Sequence, residues 1–179
     1  MRHYTFPQSF HALYHHAVQR FAAGQRGAET YFDAEQTAWL AANGLSAQAF
    51  YDYAEDQIAG GEPGYEQALQ VETVRRDYFL NVQLGQPSAH VADPDTWPAK
   101  SAAVNGIEWL PRIIPKARAK LRGELPSNLM FGCGGDRRFF KAHDILPAEL
   151  LSLVWRHEGD DTAIIAWVTA RSAVSRRSS

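Results

Sequence analysis

Apolar residues in this chain recur at three- and four-residue steps, and most of the runs stop at glycine. That pattern commits most of the chain to helices. Val104, Ile107, Leu110, Ile114, Ala117 and Leu121 have the spacing that lines one face of an α-helix. Phe10, Leu13, Tyr14, Ala17, Val18 and Phe21 repeat it between about Pro7 and Ala23, where Gly24 ends the run. Asp33 is placed to cap a second helix with Gln36 at the capping-box position, and Asn43-Gly44 closes it. Ser46 caps a third that stops at Gly60-Gly61, and Pro63 suits the first turn of a fourth. Pro147 begins a later helix, and Asp160 or Asp161 caps the last, with Ile164, Ile165, Trp167 and Val168 on it. No extended β-branched alternation interrupts this, so the expectation is an all-α, compact multi-helix protein.

Composition narrows the class. With 179 residues, 45% of them hydrophobic, and nine Phe, seven Tyr and five Trp, the chain can bury a substantial core. The aromatic residues on the apolar faces, including Trp39, Phe50, Tyr78, Trp155 and Trp167, are expected in that core and not in a base-stacking platform. The 18 basic and 20 acidic residues leave a formal charge of −2, which favours neither nucleic acid nor an anionic membrane as partner. One cysteine excludes an intrachain disulfide framework and suits a reducing cytoplasm. The N-terminus MRHYTFPQSF lacks the apolar core of a signal peptide, and no run approaches the roughly 18 apolar residues of a membrane span. The expected setting is cytoplasmic.

The chain reads as an N-terminal helical half over 1–84, a Pro-rich linker or strap over 85–101, a C-terminal helical half over 102–170 and a polar tail over 171–179. The halves look alike. Gly24 to Phe32 spans the same distance as Gly123 to Phe131, each followed by an aspartate, Asp33 or Asp136, and LSAQAF parallels LPAELL. This suggests an internal duplication, with coincidence of helix punctuation as the alternative.

The chemistry concentrates between Ile107 and Asp136. Opposite the apolar stripe of the helix at 104–121 lie Trp109, Arg112, Lys116 and Lys120, and Arg118 sits at its edge. With Pro111 and Pro115 in it, the helix is expected to kink or restart at one of them. The loop FGCGGD then sets Gly132, Gly134 and Gly135 around Cys133, freeing the backbone for positive φ and for amides turned toward a ligand. Asp136 reads as the N-cap of a short helix carrying Arg137. Loop amides, a helix start and Arg112, Arg118 and Arg137 would together attract phosphate or carboxylate. Tight-turn geometry without a ligand is the competing reading. Cys133 is the candidate catalytic nucleophile or acid, since cations and helix N-termini activate thiols; a small buried apolar residue is its plainer role. His11 and His15 stand four apart, but no HExxH signature or third ligand accompanies them, so no metal is assigned. No cofactor motif is present.

The stretch GIEWLPRIIPKARAKLRGELP, followed by FGCGGDRRFF and AELLSLVW, resembles the bacterial family known as domain of unknown function 5069. YFDAEQTAWLAANG and VRRDYFL extend the resemblance into the first half. It implies a compact, mostly helical bacterial protein and carries over no catalytic residue. Pro115 departs from the acidic residue common there.

Two functions are expected to compete. One is a small-molecule enzyme or binder for an anionic metabolite, using the glycine loop and the arginines. The other is a noncatalytic helical interaction or scaffold protein, in which aromatic surfaces make a homodimer.

Overall fold

The computed structural model describes residues 3–175, and eight helices are found among them. The chain divides into two units, Met1–Gln86 and Pro87–Ser179. No helix among the described residues is long and apolar enough to cross a membrane.

The first unit holds α1 (Phe6–Ala22), α2 (Ala34–Ala42), α3 (Ala47–Gly60) and α4 (Gly64–Asn81). Local signals fix their starts. Asp33 accepts from the Gln36 amide while the Gln36 side chain accepts from the Asp33 amide, a complete capping box on α2. Ser46 caps α3 through the Ala49 amide. Pro63 stands one place outside α4, as its N-cap. Helix α1 packs on α3 and α4, with Phe10 and Phe50 both fully buried and their rings 4.9 Å apart. Into this apolar core the unit also takes polar groups. The Tyr53 hydroxyl donates to Glu72 at 2.7 Å, and Arg76 Nε donates to Asn43 Oδ1 at 2.6 Å, all four residues being buried. Arg75 donates to Gln83.

The second unit departs from the expected continuous helix. Ala103–Val104 (β1) and Ile107–Glu108 (β2) form a small antiparallel hairpin, and α5 begins only at Leu110, running to Arg122. The reason is the dipeptide between the strands. Asn105 and Gly106 have φ of 52° and 73°, the paired positive values that a two-residue hairpin turn requires and a helix forbids. Pro111 then falls in the first turn of α5, where its missing N–H is harmless. Pro115 lies inside the helix. Three helices follow: α6 (Gly134–His143), α7 (Pro147–Arg156) and α8 (Asp161–Ser175), with the Asp160 carboxylate accepting from the Ala163 amide ahead of the last. Helix α5 packs on α7 and α6 on α8, around Leu110, Ile113, Leu150, Val154 and Ile164, each at 0% exposure. The proline-rich strap is fastened to the end of α5: the Ala92 amide and the Ser88 hydroxyl both donate to Glu124.

Of the aromatic residues expected in the core, Phe50 and Tyr78 are buried, whereas Trp39, Trp155 and Trp167 are half-buried.

Candidate functional site

In the Ile107–Asp136 stretch the polar side chains converge on a carboxylate. Asp136 is completely buried. Its Oδ2 accepts from Lys116 Nζ at 2.6 Å and from the Gly132 amide at 2.9 Å, and its Oδ1 accepts from Trp109 Nε1 at 2.9 Å. A buried carboxylate is tolerable only with such compensation. Lys116, expected on the wet face of its helix, is 3% exposed. The correction has a simple cause: its counter-charge comes from α6, twenty residues on.

Each partner is positioned by backbone. Trp109 is the N-cap of α5 and takes φ 70°, ψ −25°, a conformation that costs a non-glycine residue roughly 1–2 kcal/mol. Its amide is still tied to the Ala102 carbonyl beside the hairpin, and the turn delivers the indole to Asp136. Gly132 sits at φ 94°, which turns its amide to the same carboxylate and demands glycine. Gly135 is needed for another reason. A Cβ there would lie 2.6 Å from Trp109 Cζ2, so the missing side chain is what lets the indole lie on the start of α6.

Asp136 is not the N-cap of α6; that place belongs to Cys133. The helix starts earlier than expected because Gly134 and Gly135 are already helical, which puts Asp136 at the third helical position. Cys133 is half-buried, and its sulfur accepts from Lys116 Nζ at 3.3 Å. The first amides of any helix lack intrahelical acceptors, and here those amides belong to Gly134 and Gly135.

The arginines separate. Arg137 stays with the loop, donating to the Gly132 carbonyl at 2.9 Å. Arg112 donates to the Pro98 carbonyl and lies over the Trp97 ring. Arg118 is paired with Asp161. The structure thus gathers Gly132, Cys133, Gly135 and Arg137 around residues the sequence did not single out, Trp109 and Lys116, while Arg112 and Arg118 bond elsewhere. A sequence signal for Lys116 did exist in the motif WLPR…KARA…FGCGGD. An aspartate sealed among glycines needs a cation, and lysine is one of those available on the helix before it.

Elsewhere, His11 and His15 have ring centroids 4.3 Å apart. Among the described residues no group of three or more His, Cys, Asp or Glu side chains is arranged to hold a metal ion. The Tyr14 hydroxyl donates to Gln57, and burial, reinforced by Glu66, pushes its pKa up to about 12. Burial, with Glu72 alongside, holds Tyr53 well above the ordinary phenol value.

Residues 98–179 match the family described as Domain of unknown function (DUF5069), a range inside the second unit. No curated protein and no solved structure matches the chain.

Proposed function

We propose that the chain is a small-molecule enzyme or binding protein for an anionic metabolite, working at the start of α6 with Cys133 as its reacting group. The observation that carries this reading is the contact of the Lys116 ammonium with the Cys133 sulfur at 3.3 Å. That ammonium cannot swing away, because the buried Asp136 holds it at 2.6 Å. A fixed charge beside a nucleophile and helix-start amides beyond it are the elements that stabilise negative charge developing on a substrate. In this reading the Gly134 and Gly135 amides and Arg137 meet the anion. Arg112 and Arg118 join only by exchanging their present partners on binding. The single cysteine supports a cytoplasmic setting.

The test is alkylation of Cys133 by iodoacetamide in the folded chain, with and without phosphate and short carboxylates, alongside calorimetry with the same anions. Reaction of the native thiol, slowed by one of them, is the expected result. A thiol inert until the chain unfolds, with no anion bound, would end the reading.

The second reading, a noncatalytic helical scaffold forming a homodimer, is favoured by one observation. Asp136 already takes three hydrogen bonds from within the unit, so the network is closed without a ligand. Sedimentation equilibrium separates the readings further, since a monomer at micromolar concentration removes the homodimer.

A further inference from the structure

The two units repeat each other in a register that the sequence alone does not reveal. Helices α1 and α5 end at Ala22 and Arg122, α2 and α6 begin at Ala34 and Gly134, and α3 and α7 begin at Ala47 and Pro147. Every one of those boundaries is 100 residues from its counterpart. Burial follows the same interval. Of the 13 buried positions between 10 and 54, 11 are buried again 100 residues later, including Phe10 and Leu110, Ala17 and Ala117, and Phe50 and Leu150. Helical periodicity can match one helix to another by chance at several registers. It cannot hold one register through three helices and both connections between them, because each loop would reset the phase.

Details that periodicity does not touch agree. The Leu45 amide donates to the Leu40 carbonyl at 3.0 Å, and the Ile145 amide to the Phe140 carbonyl at 3.0 Å. The residues that precede those acceptor turns' ends, Gly44 and Asp144, both take positive φ. At the third position of α2, Gln36 reaches back to a backbone amide ahead of the helix, and Asp136 does the same on α6. The last helices correspond with the interval shortened to 96: Ala68, Glu72 and Arg76 of α4 fall on Ile164, Val168 and Ser172 of α8, all six buried. In both units a polar side chain at the end of the second helix bonds the third of these residues, Asn43 with Arg76 and His143 with Ser172.

We infer that the first unit is a second, diverged copy of the domain that the family match covers in the second unit, the two having arisen by duplication. The aspartates that looked equivalent in sequence are not. Asp33 corresponds to Cys133, and Asp136 to Gln36. The polar centre of the second unit therefore stands where the first has Ser9 for Trp109, His16 for Lys116, Asp33 for Cys133 and Gln36 for Asp136. One chain carries one such centre on two copies of the frame. This inference stands on helix boundaries, burial and hydrogen bonding, and does not depend on what the centre does.

A crystal structure of the full chain tests it by superposing 10–54 and 68–76 on 110–154 and 164–172. The four helices should overlay in the same order and direction, with the fit at this register better than at any other. A better fit at a different register, or a helix of one unit running against its counterpart, would overturn the duplication.

Discussion

Lys116 and Asp136 form an ion pair of 2.6 Å with side-chain exposures of 4% and 0%, and the start of α6 is built around it. Removing one member strands the other. Lys116→Met leaves a carboxylate with no counter-charge in an apolar setting, and a loss of about 3–5 kcal/mol in unfolding free energy is expected. Lys116→Met combined with Asp136→Asn should recover much of that, because the amide oxygen still accepts from Trp109 or Gly132 without a buried charge. Urea titration of the three proteins gives the comparison; a double variant no better than the single would show that the pair is not what holds the loop.

Gly134 and Gly135 are neighbours with opposite expectations. A methyl group on Gly135 would meet the Trp109 ring at 2.6 Å, whereas on Gly134 the nearest atom is Arg137 Nη2 at 3.9 Å. Gly135→Ala should therefore destabilise by about 1–3 kcal/mol through overpacking. Gly134→Ala should be neutral or stabilising by up to about 1 kcal/mol, since alanine favours the helical conformation already present. Thermal unfolding of both variants decides, and equal losses would mean that the indole contact is not what makes Gly135 necessary.

Arg118 offers a test of the anion site that stability does not confuse. Its partner Asp161 is half exposed, and such pairs contribute roughly 0–1 kcal/mol. Arg118→Met should fold normally. If its guanidinium exchanges Asp161 for a bound anion, calorimetric affinity should fall at least about tenfold, the loss of one charged hydrogen bond. Unchanged affinity assigns Arg118 to its salt bridge alone.

Alkali should unfold the chain through buried phenols. The folded-state pKa of Tyr14 is about 12, above the ordinary 10.0, and Tyr53 is raised as well. Between those values the folded state holds a proton that the unfolded state releases, so stability is intact below about pH 10 and falls as pH rises toward 12. Urea midpoints should drop between pH 10 and 12, and Tyr14→Phe should flatten that drop. A midpoint independent of pH over this range would contradict the burial of both hydroxyls.

Asp144 holds φ 53° at the end of α6, and Gly44, 100 residues earlier, also takes a positive φ. Asp144→Gly should remove a left-handed strain and raise stability by up to about 1 kcal/mol. The melting temperature reports it, and a decrease would indicate that the aspartate side chain contributes more than its backbone costs.

How much of this was written locally is clear from particular residues. The Asp33–Gln36 capping box, the Ser46 cap, an aspartate cap at 160 or 161 and the glycine stop after α3 are all readable, because each is a hydrogen bond or a dihedral preference settled within four or five residues of chain. The hairpin was half readable. Val104 and Ile107 keep helical spacing, yet Asn105-Gly106 between them is a turn signal, and the turn won because two successive positive φ values cannot continue a helix. The Ile107–Asp136 stretch is readable as a place where polar residues gather, but its glycines and arginines stand out in the sequence and its buried lysine and tryptophan do not.

Sequence by itself therefore determined the helical class, most element boundaries and the segment where polar residues gather. Tertiary structure alone decided which of those residues meet. Lys116 is a surface lysine by helical phase and a core residue by position, since the charge that stabilises it arrives from another helix. The 100-residue register likewise appeared only once burial was known, because an amphipathic pattern states which face of a helix is apolar and not what that face packs against.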